Sequence, residues 1–257
     1  MITSLVALQE QKQGNTRREL EDAYACMPRG TGPITSEAFT IAVCDGASQT
    51  AFAAEWAKLL SRAYVRSPAG SSSSLATLAS SLHTRWHSIA FRSDLPWYAH
   101  EKAGQGSFAT LLGLRIQTQS AGPGFTWSAT AIGDTCLFHT RANTLLKAFP
   151  IEDADEFTQT PALLSSLPSM NHALPEAQTA VSSICLSRDV FLLATDALAR
   201  WILQSAAAHE EPLPLLLGLL SAQSPQQGFA EFLADLRQDR TIKNDDVTCI
   251  AISVQET

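Results

Sequence analysis

The 257-residue sequence has no C-x-x-C pair, and its cysteines, Cys26, Cys44, Cys136, Cys185 and Cys249, are odd in number and scattered. That excludes a disulfide framework and a cysteine-based zinc site. Four of the five lie in apolar stretches (AVCDG, DTCLF, SICLS, VTCIA), where a free thiol behaves as a small buried hydrophobe, a usage that suits a reducing compartment. No stretch approaches the roughly 18 apolar residues of a membrane helix. The opening MITSLVALQEQKQ lacks a basic start and carries too short an apolar run for a secretory leader, so a cytoplasmic location is expected. Positive charge is also scarce: 18 Lys and Arg stand against 25 Asp and Glu, for a formal charge of -7. Such a surface presents no overall field for nucleic acid or an anionic membrane, and phosphate binding on it requires a bound cation or a few focused arginines. The familiar nucleophile and phosphate loops are missing too: there is no C-x5-R, no G-x-S-x-G and no G-x4-G-K-[ST], and the six histidines form no H-E-x-x-H.

What is present is ordinary globular material, 45% hydrophobic and 17% charged, enough for a sizeable core in one domain spanning 1–257. Runs rich in β-branched and aromatic residues predict strands at Phe39–Cys44, Ser107–Ile116, Phe125–Ile132, Cys136–Thr140, Thr144–Phe149, Gln178–Leu186, Val190–Ala194 and Val247–Val254. Helical periodicity marks Ala51–Val65, Ser74–Phe91, Leu213–Leu220 and Gln226–Arg237. The helices come in pairs, one between the first two strand groups and one between Asp196 and the last strand. Strand runs with segregated helix pairs point to an α+β layered domain rather than a βαβ array. Ser67–Ser74 reads as a flexible connection, and Ile151–Pro175, without period, as either a functional flap or a disordered surface loop.

Four aspartates stand where apolar strands end or begin: Asp45 after FTIAVC, Asp134 after SATAIG, Asp196 after VFLLAT and Asp245 before VTCIAISV. A fifth, Asp22, follows Glu21 in RRELEDAY. A lone aspartate at a strand end is commonly a turn former or helix cap. Gathered together, however, such carboxylates repel one another and raise each other's pKa unless a divalent cation neutralises them. Donors that are all oxygen favour magnesium or manganese over zinc.

The motifs ELEDAY, AVCDGAS, GSFATLLGL, AIGDT, LLATDAL and NDDVTCIAI occur in the order and approximate spacing of the metal-dependent protein phosphatases of the type 2C class, and nearly the whole chain resembles that family, its bacterial members above all. The resemblance implies a four-layer α-β-β-α sandwich, two antiparallel sheets flanked by helix pairs, with a two-metal centre at one end. It implies that Asp45 bridges two Mn2+ or Mg2+ ions, that the Gly46 carbonyl binds the first, and that Asp196 and Asp245 bind the second. Asp22 and Glu21 would hold water on the metals, and Asp134 corresponds to the aspartate of a third, weaker site. Arg17, four residues before Glu21, has the spacing of the family's phosphate-binding arginine, with Arg18 as the rival; a guanidinium fork suits phosphate oxygens. His100 or His172 is a candidate general acid. His83 and His87, four apart on a helix, can share a face.

The implied activity is direct attack of water on phosphoserine or phosphothreonine of a protein substrate, with two ions clamping the phosphoryl group. Two positions depart from the family: Ala47-Ser48-Gln49 follows Asp45-Gly46 where further glycines are usual, and Ala197 replaces the common glycine after Asp196. The altered turn motivates a second expectation, a pseudophosphatase or regulatory module that keeps the fold without turnover. Hydrolysis of a small phosphorylated metabolite is a third.

Overall fold

Backbone hydrogen bonding gathers the apolar runs into two antiparallel sheets. The computed structural model describes all residues except 31, 69–74, 120–121, 123, 173 and 257. In chain order the elements are β1 (Ile2–Glu10), β2 (Ala23–Met27), β3 (Ile34–Thr35), β4 (Ala38–Cys44), α1 (Ala53–Arg66), α2 (Leu75–Ser81), α3 (His83–Ala90), α4 (Trp97–Ala103), β5 (Phe108–Ala109), β6 (Leu111–Thr118), β7 (Phe125–Ile132), β8 (Cys136–Arg141) and β9 (Thr144–Phe149). They continue with β10 (Leu164–Ser165), α5 (Leu174–Ala177), β11 (Thr179–Cys185), β12 (Val190–Ala194), α6 (Asp196–Ala207), α7 (Pro212–Leu220), α8 (Pro225–Gln238) and β13 (Val247–Gln255). One sheet runs β3-β1-β13-β12-β8-β9 and the other β11-β7-β6-β4-β2, with β5 and β10 as a separate small pair.

Burial explains why the central strands read as unbroken apolar runs rather than alternating ones. Phe39, Ile41 and Val43 of β4 face Leu137, Phe191, Leu193 and Ile250 of the other sheet, filling the space between the sheets. The opposite side of β4, Ala42 and Cys44, meets Trp56, Leu60 and Tyr64 of α1 together with α2 and α3. On the far side of the molecule Leu192 and Cys249 are covered by Leu198 and Ile202 of α6, Leu216 of α7 and Phe229 and Leu233 of α8. Three apolar layers between four layers of secondary structure make the α-β-β-α sandwich expected from the sequence. Cys44, Cys136, Cys185 and Cys249 are buried free thiols. Among the described residues no helix is long and apolar enough to cross a membrane.

Several boundaries differ from the sequence expectation. Strands β1 and β2 are additions; β1 pairs with β13 over nine residues, from Ile2 opposite Gln255 to Glu10 opposite Val247, although much of its length is half exposed and carries little apolar signal. The stretch predicted as one helix over Ser74–Phe91 is two, α2 and α3, joined at Leu82, and Ser74 lies outside the described residues together with most of the predicted flexible connection. Helix α4 follows them, and three helices rather than two stand between Asp196 and β13. The first of these, α6, has no counterpart in the sequence expectation, which places Asp196 just after the strand Val190–Ala194, whereas Asp196 is the first helical residue behind Thr195. The Ile151–Pro175 segment is pinned in part: β10 pairs with β5, Trp56 Nε1 donates to the Leu164 carbonyl at 2.9 Å, and the Asn171 amide clamps the Ser165 backbone.

At the end of the sandwich away from the aspartates expected at the site, fully buried Asp189 joins β8 to the turn before β12. It accepts from Arg141 Nε and Nη2 at 2.7 and 2.9 Å and from the Leu186 amide at 2.9 Å, and its Oδ2 lies 2.8 Å from His139 Nε2.

Candidate metal centre

The break between β5 and β6 begins the site. The strand predicted as continuous over Ser107–Ile116 is interrupted at Thr110, and this frees Thr110 to serve the end of β4. Its hydroxyl accepts from the Asp45 amide at 3.0 Å, its own amide donates to the Asp45 carbonyl at 2.9 Å, and its Oγ1 lies 2.7 Å from Thr135 Oγ1. Asp45 is thereby held from both sides of its peptide unit. The next residue must be glycine: a Cβ at Gly46 would stand 2.9 Å from the Glu21 carbonyl and 3.0 Å from the Ala53 backbone, atoms that cannot yield. The chain segments carrying Glu21, Gly46 and the start of α1 therefore touch backbone to backbone.

Asp22, at the mouth of β2, is almost fully buried. Thr195 and Thr248 donate to its Oδ2 at 3.1 and 2.7 Å, while Oδ1 is buried without a partner. Thr195 also accepts from the Thr248 amide at 2.9 Å, so both threonines are fixed by the β12–β13 ends. Asp246 holds the β1–β2 loop, accepting from the Lys12 and Glu21 amides at 2.8 Å each. Asp134 follows Gly133, whose φ of 95° and close approach to Thr110 suit glycine alone. Asp196 opens α6, and its Oδ1 is likewise buried and unpartnered.

The electrostatics place these carboxylates in one field. Burial first, and then repulsion from Asp22, Asp196, Asp245 and Asp134, push the Asp45 carboxyl well above the usual carboxylate range. Burial, with Asp246 and Asp196 adding to it and the Thr248 and Thr195 hydroxyls opposing, lifts Asp22 to about 8. Burial and Asp196 raise Asp134 to about 6. Glu21, half-buried, is raised mainly by burial. Five aspartates from distant parts of the chain thus act on one another.

A lysine complicates the cluster. Lys243 Nζ sits 3.2 Å from Asp196 Oδ2 and 2.6 Å from Asp245 Oδ2. Burial works against its charge, but Asp196 and Asp245 outweigh it and hold Lys243 above the usual lysine value. Among the described residues no three acidic, histidine or cysteine side chains are drawn together tightly enough to hold an ion in this arrangement. Even so, the donor set fits a hard divalent cation: the donors are all oxygen, two buried carboxylate oxygens lack a partner, and the Gly46 backbone runs close by. Seating an ion between Asp196 and Asp245 requires the ammonium to withdraw. Lys243, Thr110, Thr195, Thr248 and Asp246 were all missed in the sequence. The only signal was their neighbourhood, since Lys243 and Asp246 flank Asp245 and Thr195 precedes Asp196.

The remaining expected residues lie around this centre. Arg17 stands exposed in a one-turn helix, Arg17–Glu19, that is closed by a Thr16–Glu19 capping box. It walls a cavity of about 450 Å3 that also reaches Asp22 and Arg18. A second cavity, of about 560 Å3, lies between Asp134, Asp196, Lys243, Arg200 and the flap residues Phe157–Gln159. The histidines stand elsewhere. His100 Nε2 lies 2.9 Å from the Arg92 carbonyl and its ring lies against Phe91, His87 stacks on Phe91, and His83 Nδ1 lies 2.9 Å from the Ser166 carbonyl. Among the described residues neither His100 nor His172 hydrogen-bonds to Asp22, Asp45, Asp134, Asp196 or Asp245.

No protein-family model matches the sequence, and neither does any curated protein. Solved structures do. The Mycobacterium tuberculosis serine/threonine phosphatase PstP/Ppp superposes with a TM-score of 0.60 at 13% identity, covering 100% of each chain. The catalytic domain of PstP in complex with two manganese ions gives 0.57 at 18% identity over 99% of each chain. The S. agalactiae serine/threonine phosphatase gives 0.58 at 10% identity over 98% of this chain and 100% of its own. At such identities the likeness establishes the fold.

Proposed function

We propose that this chain, which has the fold of the type 2C serine/threonine phosphatases, is a single catalytic unit over 1–257 that hydrolyses phosphoserine and phosphothreonine on proteins with the help of divalent metal ions, in the cytoplasm. The observation that carries the reading is the convergence of Asp22, Asp45, Asp134, Asp196 and Asp245 in one mutually repelling field. Two of their buried oxygens are left without a partner. A fold gains nothing from such an arrangement unless cations complete it.

In this reading Asp45 and the Gly46 carbonyl would hold a first Mn2+ or Mg2+ ion, and Asp45, Asp196 and Asp245 would hold a second. Asp134 would hold a third. When bound, the ions supply an acidified water and neutralise charge on the phosphoryl group. The chain does the rest. Thr110 fixes Asp45 through its backbone, and Thr195 and Thr248 turn Asp22 so that its free Oδ1 is left for a water proton. Glu21, beside Asp22 in a loop anchored by Asp246, assists in orienting that water. The Arg17 fork takes two phosphoryl oxygens and aligns the ester for in-line attack.

The test is hydrolysis of a phosphoserine peptide with and without Mn2+, in the native protein and in Asp45→Ala and Asp196→Ala. Turnover that needs the metal and disappears in both variants supports the reading; turnover that survives in the variants overturns it. The Lys243 ammonium between Asp196 and Asp245 favours one alternative, a binding module without turnover. Absence of hydrolysis on every phosphopeptide, with phosphopeptide binding retained, decides for that alternative.

A further inference from the structure

Beside Asp22 the chain concentrates positive charge that its own acids leave alone. The cavity of about 450 Å3 is walled by Arg17, Arg18, Lys58 and Arg62, with Gln9 and Asp22 at its inner side. In a chain of net charge -7 this is four of the 18 basic residues around one opening. Among the described residues none of the four makes an ion pair or a side-chain hydrogen bond.

Lys58 and Arg62 take no part in the packing of α1. Both are exposed on α1, whose buried face is made by Trp56, Leu60 and Tyr64. They are four residues apart, a like-charge spacing that costs a helix a few tenths of a kcal/mol, on the order of 0.2–0.5. Arg66, the next in the row, complements the helix C-terminus, which the other two are too far back to do. The cavity holds the equivalent of about fifteen waters at about 30 Å3 each, more room than a single phosphoryl group needs. Arg17 already serves that group in the proposed function.

We infer that Lys58 and Arg62, with Arg18, form a second anion subsite, and that the substrate is a phosphopeptide carrying another anionic group, a second phosphate or a carboxylate cluster, close to the residue being dephosphorylated. This rests on the proposed phosphatase reading. The two anions sit on one extended peptide, one at Arg17 and one against α1, so the subsite selects by charge spacing rather than by side-chain shape.

The experiment measures binding by fluorescence anisotropy in EDTA, so that affinity is read without hydrolysis. Three labelled peptides share one phosphoserine and differ in having neutral flanks, acidic flanks or a second phosphoserine. The native protein is expected to bind both anionic peptides at least tenfold more tightly than the neutral one, and the tighter of the two identifies the anion. In Lys58→Ser/Arg62→Ser the preference falls to about unity, whereas Lys58→Arg/Arg62→Lys keeps it, which separates loss of charge from loss of fold. Equal affinities in the native protein, or a preference that survives in the serine variant, overturn the inference. So does an equal loss of binding to anionic vesicles or DNA, which makes the patch a general polyanion surface. Mn2+-dependent turnover of the neutral peptide, unchanged in the serine variant, reports separately on the phosphatase reading; its absence sinks that reading and leaves the binding ratio to decide the subsite.

Discussion

Stripping divalent metal from this protein should make its stability fall as pH rises. The carboxyl of Asp22 titrates near 3.8 in the unfolded chain and at about 8 in the fold, so between those values the native state holds a proton that the unfolded state has released. Stability therefore declines across that interval by about 1.4 kcal/mol per pH unit and levels off above about pH 8. Taken alone, Asp22 is worth about 6 kcal/mol and Asp134, lifted to about 6, about 3 kcal/mol. Because the two share Asp196 as a neighbour these figures do not add, but several kcal/mol is a large share of the 5–15 kcal/mol typical of a whole domain. Manganese binds only the ionised carboxylates, so its stabilisation grows over the same interval. The assay is thermal unfolding from about pH 5 to about pH 8.5, in EDTA and in Mn2+. A midpoint that falls with pH in EDTA and is restored by Mn2+ is expected. A metal-free midpoint that is flat or rises toward pH 8 refutes the electrostatic argument.

Lys243→Met should tighten manganese binding. Two ion pairs involving a largely exposed ammonium are worth at most about 1 kcal/mol each, so removing them should raise affinity about three- to thirty-fold by calorimetry; unchanged affinity means the ammonium does not compete with the ion. Asp189→Asn should leave metal binding intact but cost about 3 kcal/mol and roughly 6–12 °C in Tm, since it removes the charge facing Arg141 and turns one of the two oxygens that accept from His139, Arg141 and the Leu186 amide into a donor. A smaller loss than about 1 kcal/mol contradicts that view of the network.

Much of the architecture was legible because the central strands are buried on both faces and leave long apolar runs such as FTIAVC and VFLLAT. Exposed strands were legible unevenly: the edge strands β9 and β11 were read from their β-branched and apolar residues, whereas β1 owes its place to nine backbone pairings with β13, which composition does not record. The aspartates were legible as strand-end residues, and the start of α6 was not, because Asp196 directly follows VFLLAT and reads as the turn after a strand rather than as the first residue of a helix. The groups that orient the acids could not be read at all. Thr110 acts on Asp45 across 65 residues and Thr248 on Asp22 across 226, contacts that exist only after folding. The same holds for Lys58 and Arg62, which are ordinary surface residues in sequence and meet Arg17 only when α1 covers β2 and β4.

Anomalous diffraction from a crystal soaked in manganese tests the central claim most directly. Two peaks, one touched by Asp45 and the Gly46 carbonyl and the other by Asp45, Asp196 and Asp245, with Lys243 swung away, are predicted. Peaks absent from this cluster at saturating manganese, with Lys243 still spanning Asp196 and Asp245, contradict it.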